Sequence, residues 1–191
     1  MSKKTKQGKC VYCLGLFSDL TDDHVFPKAW YPDTTPEEIP RWKVPSCESC
    51  NSRLGKIEED LMLRLGLCVD PKNAKASGIS EKVLRALDPA AAHDERDKYF
   101  REKTRKKILK EMEKLPEIPI GVLPGFGPKN NSSDGYFGIK IPERELKALG
   151  KKIIRGHQYV VGERYIENDY LIEIFFVNDK DVQKVINLIT Q

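Results

Sequence analysis

No apolar run in this sequence approaches the ~20 residues that a bilayer-spanning helix requires, and the lysines of MSKKTKQGKC are followed by no apolar stretch of the kind that opens a secretory signal. Those absences exclude an integral helical membrane protein and lead to the expectation of a cytoplasmic, intracellular chain. Histidine is scarce, with three residues, which leaves few candidates for proton transfer near neutral pH. Cysteine is limited to five residues, and in a reducing compartment these are better metal ligands than disulfide partners. What remains is 39% hydrophobic and 32% charged over 191 residues, the composition of a globular protein able to bury a core as one domain or two modest ones.

Four of the cysteines form two Cys-x-x-Cys knuckles, Cys10 with Cys13 and Cys47 with Cys50. Each knuckle places two sulfurs on one turn, so the pair completes the closed tetrahedral shell of a structural zinc. Cys68, in LMLRLGLCVD, is left over and reads as a small buried apolar residue. Between the knuckles lies Asp23-His24-Val25, and Asn51 follows directly on Cys50. A carboxylate, an imidazole and an amide carbonyl are the groups needed to hold a hard divalent cation and to activate a water beside it. The stretch from Cys10 to Asn51 therefore reads as a nuclease centre.

Around this centre the chain reads as α+β. Met1 to Lys9 is expected to be a flexible tail, and Cys10 to Leu16 a knuckle with Gly15 as its turn residue. Val25 and Phe26 extend a strand that Pro27 ends, and YPDTTPEEIP (31–40), with three prolines, is a surface loop. Leu54, Ile57, Leu61, Met62 and Leu65 recur at three- and four-residue steps, predicting an amphipathic helix from about Asn51. Asn51, Gly55 and Glu58 share the face away from that stripe, so Glu58 joins Asn51 as a candidate cation ligand, with Glu59 competing. Ser80 is the expected cap of a helix carrying Val83, Leu84 and Leu87, broken at Asp88-Pro89, and a longer helix is predicted from about Ala91 to Leu115.

Residues 116–135 are rich in Pro, Gly, Asn and Ser and read as an irregular linker. Beyond it a small α+β module is expected: a strand over 136–141, a helix over 143–155, strands over 157–165 and 170–177 joined at Glu167-Asn168-Asp169, and a final helix capped by Asn178. The resulting division is 1–70, 71–115, 116–135 and 136–191. His93 and His157 have no second ligand nearby in sequence and read as structural or surface residues.

The net charge of +4 is unevenly spread. Residues 1–60 hold nine Lys or Arg against ten Asp or Glu, whereas the rest holds 24 against 19. The most basic window is Arg101 to Lys110, where Arg101, Lys103, Arg105, Lys106, Lys107 and Lys110 face a single Glu102. These cations, the N-terminal lysines and Lys28 are the candidate phosphate contacts, against the plainer reading of a solvated helix face.

The layout Cys-x-x-Cys, Asp-His, Cys-x-x-Cys-Asn resembles the HNH endonuclease superfamily, also called ββα-metal or His-Me finger nucleases. The fit is to its zinc-clipped branch, which includes the phage recombination endonuclease VII type and small bacterial HNH proteins. The resemblance covers residues 9–65. It implies zinc on Cys10, Cys13, Cys47 and Cys50, a catalytic Mg²⁺ or Mn²⁺ on Asp23 and Asn51, His24 as general base, and DNA, duplex or branched, as substrate. In related small bacterial sequences an acidic pair follows the Cys-Asn at the distance of Glu58 and Glu59. The superfamily's middle Asn or His has no match in Arg41-Trp42-Lys43-Val44-Pro45-Ser46, and its final histidine is Asn51 here. Two other classes stay open: a non-catalytic zinc ribbon that binds nucleic acid or protein, and a redox protein using one Cys-x-x-Cys pair, which the absence of a βαβ pattern disfavours. The C-terminal module carries no chemistry of its own in the sequence, and selecting DNA structure, binding a protein partner and building a homodimer are the uses open to it.

Overall fold

The computed structural model describes residues 6–115, 136–175 and 186–187. Its backbone contacts gather into two units, each discontinuous in sequence: Met1–Met62 with Ile141–Ile174, and Leu63–Lys140 with Phe175–Gln191.

The first unit is built on a three-stranded antiparallel sheet in the order β1 (Lys6–Lys9), β2 (Leu16–His24), β3 (Lys43–Ser46). The expected flexible tail is thus a strand over its last four residues, because Lys6, Gly8 and Lys9 pair with Leu20, Phe17 and Leu16 of β2. Residues 1–5 lie outside the described residues. On the other side β2 runs against β3 in the register Thr21 with Ser46, Asp23 with Val44, and His24 with Lys43. The Val25 N–H donates to the Trp42 carbonyl at 3.0 Å, which carries the pairing one residue further, and Pro27 ends it.

Helix α1 (Glu48–Leu67) starts three residues before the predicted Asn51. Cys47 explains the shift. Its carbonyl accepts from the Asn51 N–H at 2.9 Å and its sulfur from the Cys50 N–H at 3.4 Å, so this cysteine supplies both halves of an N-terminal cap. Leu54 and Leu61 are buried as the leucine stripe predicts. Leu63 and Arg64 are also buried, because from there the helix is covered around more of its circumference than one stripe.

The predicted 143–155 helix runs on as α4 (Glu143–Val161). The strand expected over 157–165 is therefore corrected: Tyr159, Val160 and Val161 are β-formers by propensity, but packing overrides that preference. Tyr159, Val160 and Tyr165 lie against the buried Val11, Val25 and Val44. Residues 170–175 form no regular structure, although the turn at Asn168–Asp169 is present, with the Tyr170 N–H donating to the Glu167 carbonyl at 3.3 Å. Phe176 and Val177 lie outside the described residues, as does the final helix apart from Ile186 and Asn187.

The second unit holds the end of α1 together with α2 (Ile79–Leu87), α3 (Glu95–Glu111), β4 (Met112–Leu115) and β5 (Tyr136–Ile139). Gly78, in the left-handed region at φ 78°, takes the cap position expected of Ser80. Ser80 is buried instead, donating to the Val69 carbonyl at 3.5 Å. The α3 helix begins after Asp94, which caps it through the Asp97 N–H at 2.7 Å, and stops at Glu111 rather than Leu115. The last four residues leave the helix because they pair with β5, Met112 with Ile139 through Leu115 with Tyr136. Arg64 is buried with its guanidinium on the Glu111 carboxylate at 2.7 Å and the Lys140 carbonyl at 2.6 Å, which satisfies a charge that burial alone would make costly. The expected linker over 116–135 lies outside the described residues.

At Gly156 α4 packs closely on Val25, the residue after β2, since a Cβ there would stand 2.8 Å from both of its methyls. Gly156→Ala is expected to destabilise the fold by about 1–3 kcal/mol through overpacking, read as a lower midpoint in urea unfolding.

Candidate metal centre and the buried cluster beside it

The two knuckles meet. Cys10 and Cys13 close the turn between β1 and β2, while Cys47 and Cys50 straddle the passage from β3 into α1. Their four sulfurs lie within 4.8 Å of one another, and Cys13 and Cys47 are 3.8 Å apart. A tetrahedron of sulfurs about 2.3 Å from a central zinc has edges of ~3.8 Å, so the cluster has the dimensions of a four-cysteine zinc site.

Backbone donors are already aimed at the sulfurs. The Cys47 N–H reaches Cys10 Sγ at 3.4 Å, and Cys47 Sγ sits at the positive end of α1. Burial pushes the Cys10 thiol up, but backbone donors at Cys13, Cys47 and Tyr12 outweigh it and hold the group at about 7, below its ordinary 9.0. Burial pushes Cys50 well up, a cost that zinc binding would offset by replacing the proton. Leu14, directly after the first knuckle, lies in the left-handed region at φ 64°. Gly15, the expected turn residue, is not the one that carries the strained angle. That conformation costs a side-chain-bearing residue about 1–2 kcal/mol, and the Cys10–Gly15 and Leu14–Cys10 backbone bonds, both 2.9 Å, hold it in place. Cys68 stands apart in the second unit, half-buried, with its thiol donating to the Arg64 carbonyl at 3.4 Å and pushed up by burial.

The face of β2 toward α1 carries Thr21 and Asp23, two residues apart and therefore on one side of the strand. The face of α1 toward β2 carries Asn51 and Glu58. Asn51 Nδ2 donates to Thr21 Oγ1 at 2.9 Å, and Thr21 Oγ1 donates to the Ser46 carbonyl at 3.1 Å. Asp23 is buried. Its Oδ2 receives no well-angled hydrogen bond, but the Lys152 ammonium of α4 stands 2.9 Å away. The same ammonium contacts Glu58 Oε1. The cluster thus joins Asp23 and Glu58 through Lys152, while Asn51 is tied to Thr21.

Lys152 is 2% exposed, and its Nζ also lies 5.9 Å from the centre of the Tyr12 ring. Burial, and after it the Asp23 carboxylate, push the Tyr12 phenol up, so it stays a neutral hydroxyl beside the acids. Burial likewise raises Glu58, against the lowering effect of Lys152. Sequence reading passed over Lys152 because it is one lysine among many on an amphipathic helix. The only signal was its place on the apolar side of α4, near Leu149 and Gly156.

His24 closes β2 and is half-buried. Burial first, and then Lys43 opposite it in the register, lower its pKa from 6.5, with Lys28 and Lys152 adding to the effect and Asp23 opposing it. The imidazole is therefore neutral over a wider pH range than a free histidine. Lys28 is exposed on a short 3₁₀ turn, Lys28–Trp30, and the Trp30 indole N–H donates to the Glu58 carbonyl at 3.3 Å, tying this turn to α1. Glu59 is exposed. His157 is helical rather than at the head of a strand, with its ring 5.7 Å from that of Trp42, and the His93 N–H donates to Asp97 Oδ2 at 3.0 Å.

Comparison with family models, with curated proteins and with solved structures finds no match. The site therefore rests on its own geometry: a four-cysteine group that could hold structural zinc, an α+β scaffold around it, and a buried acid–lysine cluster.

In the second unit, Lys103, Arg105, Lys106, Lys107 and Lys110 are exposed along α3. Arg101 is half-buried, its guanidinium held by Asp97 Oδ1 at 2.9 Å and donating to the Arg85 carbonyl, and Lys106 stands 3.9 Å from Glu102 Oε2. No helix among the described residues is long and apolar enough to cross a membrane.

Cys10→Ser and Cys47→Ser are expected to lose stoichiometric zinc and to lower the melting temperature as much as chelation of the wild type does, whereas Cys68→Ser retains the metal. Elemental analysis beside thermal unfolding checks both.

Proposed function

We propose that this chain is a zinc-clipped HNH-type (ββα-metal) endonuclease that hydrolyses DNA phosphodiester bonds. The observation that supports the reading is the placement of Asp23-His24 at the end of β2, against a helix whose first turns carry Cys50 and Asn51 and whose start is set by a cluster of four cysteines. In this reading zinc on Cys10, Cys13, Cys47 and Cys50 is structural, and Asp23 and Asn51, with Glu58 as third candidate, would hold Mg²⁺ or Mn²⁺. Carboxylate and amide oxygens suit such hard cations, and the buried Asp23 carboxylate already faces a cation, the Lys152 ammonium 2.9 Å from its Oδ2. A divalent ion there supplies charge stabilisation at the scissile phosphate when bound.

The protein's own part in the reaction falls to His24, which accepts a proton from the attacking water. Its lowered pKa suits that role, since only the neutral imidazole is a base. Lys28 and the exposed cations of α3 would contact phosphates. Arg101 would contribute less, being engaged by Asp97.

A second reading has a specific observation in its favour. The contact of Lys152 with Asp23 gives the carboxylate a partner other than a metal, as expected of a zinc module that binds nucleic acid or protein without cutting.

Plasmid cleavage with Mg²⁺, Mn²⁺ or EDTA separates the two. His24→Ala is expected to lower metal-dependent cleavage by about 10²–10⁴-fold while zinc content and DNA binding stay unchanged. Binding without metal-dependent cleavage in the wild type would favour the non-catalytic module. The sign of the pH dependence follows from burial: the imidazolium is disfavoured, so the acid limb of the cleavage profile should fall below the ordinary histidine value of 6.5 and disappear in His24→Ala.

A further inference from the structure

The Asp23–Lys152–Glu58 cluster carries an inference beyond the ligand set proposed above, and it rests on the reading of Asp23 as an ion ligand. Two carboxylates converge on one ammonium from different elements, Asp23 from β2, Glu58 from α1 and Lys152 from α4. The side chains are almost wholly enclosed, at 0% exposure for Lys152, 10% for Asp23 and 16% for Glu58. A divalent cation could take the place of the ammonium against the two carboxyl groups; a divalent cation added to the ammonium would put two cations against the same oxygens, where like charges repel strongly.

The cluster has little claim as a stabilising device. A buried ion network is on average no more stable than apolar residues of the same volume. The Asp23 oxygen nearest the ammonium also lacks a well-formed hydrogen bond, so the cation sits within range of the carboxylate without saturating it.

We propose that Lys152 is an intramolecular occupant of the divalent-cation site, so that the ion and the α4 ammonium bind Asp23 and Glu58 in mutual exclusion. Metal binding then requires Lys152 to leave the pocket. Its helix is held there by the approach of Gly156 to Val25 and by the packing of Tyr159 and Val160. Whatever loosens α4, such as a substrate or a partner, raises the affinity for the ion; whatever tightens it holds the centre in a metal-free state. Glu58 is in this view a ligand of the exchangeable cation in both states, which explains why a carboxylate two turns from Asn51 is largely enclosed.

The test is binding of Mn²⁺ to zinc-loaded protein, followed by calorimetry and by the loss of the free-ion electron paramagnetic signal, with cleavage measured in parallel. Lys152→Met removes the ammonium at nearly constant volume and is expected to bind Mn²⁺ roughly tenfold or more tightly than the wild type, with the gain lost when Asp23→Asn is added. Lys152→Arg keeps the charge and is expected to stay weak. Equal Asp23-dependent affinity in wild type and Lys152→Met would overturn the exclusion while leaving the nuclease reading intact. No Mn²⁺ binding by either, together with no metal-dependent cleavage, would overturn both. Should Lys152→Met fail to fold, hydrogen exchange of the wild type decides: saturating Mn²⁺ should speed exchange of the α4 amides over 143–161, and unchanged protection at saturation would refute the displacement of Lys152.

Discussion

The first unit depends on closure of the segment between the two knuckles. Its outer strands, β1 and β3, have four residues each, near the short end of the usual range. The residues between β2 and β3 include three prolines in the stretch 31–40 and add no ladder bonds there. The four cysteines, gathered within 4.8 Å of one another, close the two ends of the segment from Cys13 to Cys47, and Cys47 sets the first turn of α1. The left-handed Leu14 is tolerated for the same reason: the closed turn determines its angle, and side-chain preference does not.

Much of this was legible from spacing. The four-cysteine group was readable because metal geometry limits how thiolates can be arranged, and the strand–strand–helix order followed from Val25, Pro27 and the leucine periodicity. Helix ends were less legible. The start of α1 depends on a sulfur acting as a cap, the end of α3 on a β5 strand more than twenty residues away in the chain, and the start of α2 on Gly78 rather than the better side-chain capper beside it. The region from His157 to Tyr165 reads as strand because its residues prefer strands; it is mostly helix because Tyr159 and Val160 have a valine cluster to cover.

The candidate site divides in the same way. Asp23, His24 and Asn51 stand out because they are local to the knuckles, and Glu58 because helical periodicity places it two turns from Asn51. Lys152 could not be found by either route. Its role comes from a contact across ninety-four positions with Glu58, and only its place on the apolar side of α4 distinguishes it from Lys151. The proline- and glycine-rich stretch over 116–135 marks a break in composition, and composition cannot reveal that the chain returns after it to the unit it left.

That return sets an order of events during synthesis. The knuckles, the hairpin and the first turns of α1 leave the ribosome before residues 63–140, and the four cysteines are together once Cys50 has emerged. The valine cluster and Asp23, by contrast, wait for residues 141–174, with the whole of 63–140 made in between. Until then the nascent unit shows water an apolar patch at Val11, Val25 and Val44 and an acid without its lysine. Contacts of such long sequence separation form late and slowly, so a zinc on the four cysteines would give the growing chain a foothold before α4 is made to complete the unit.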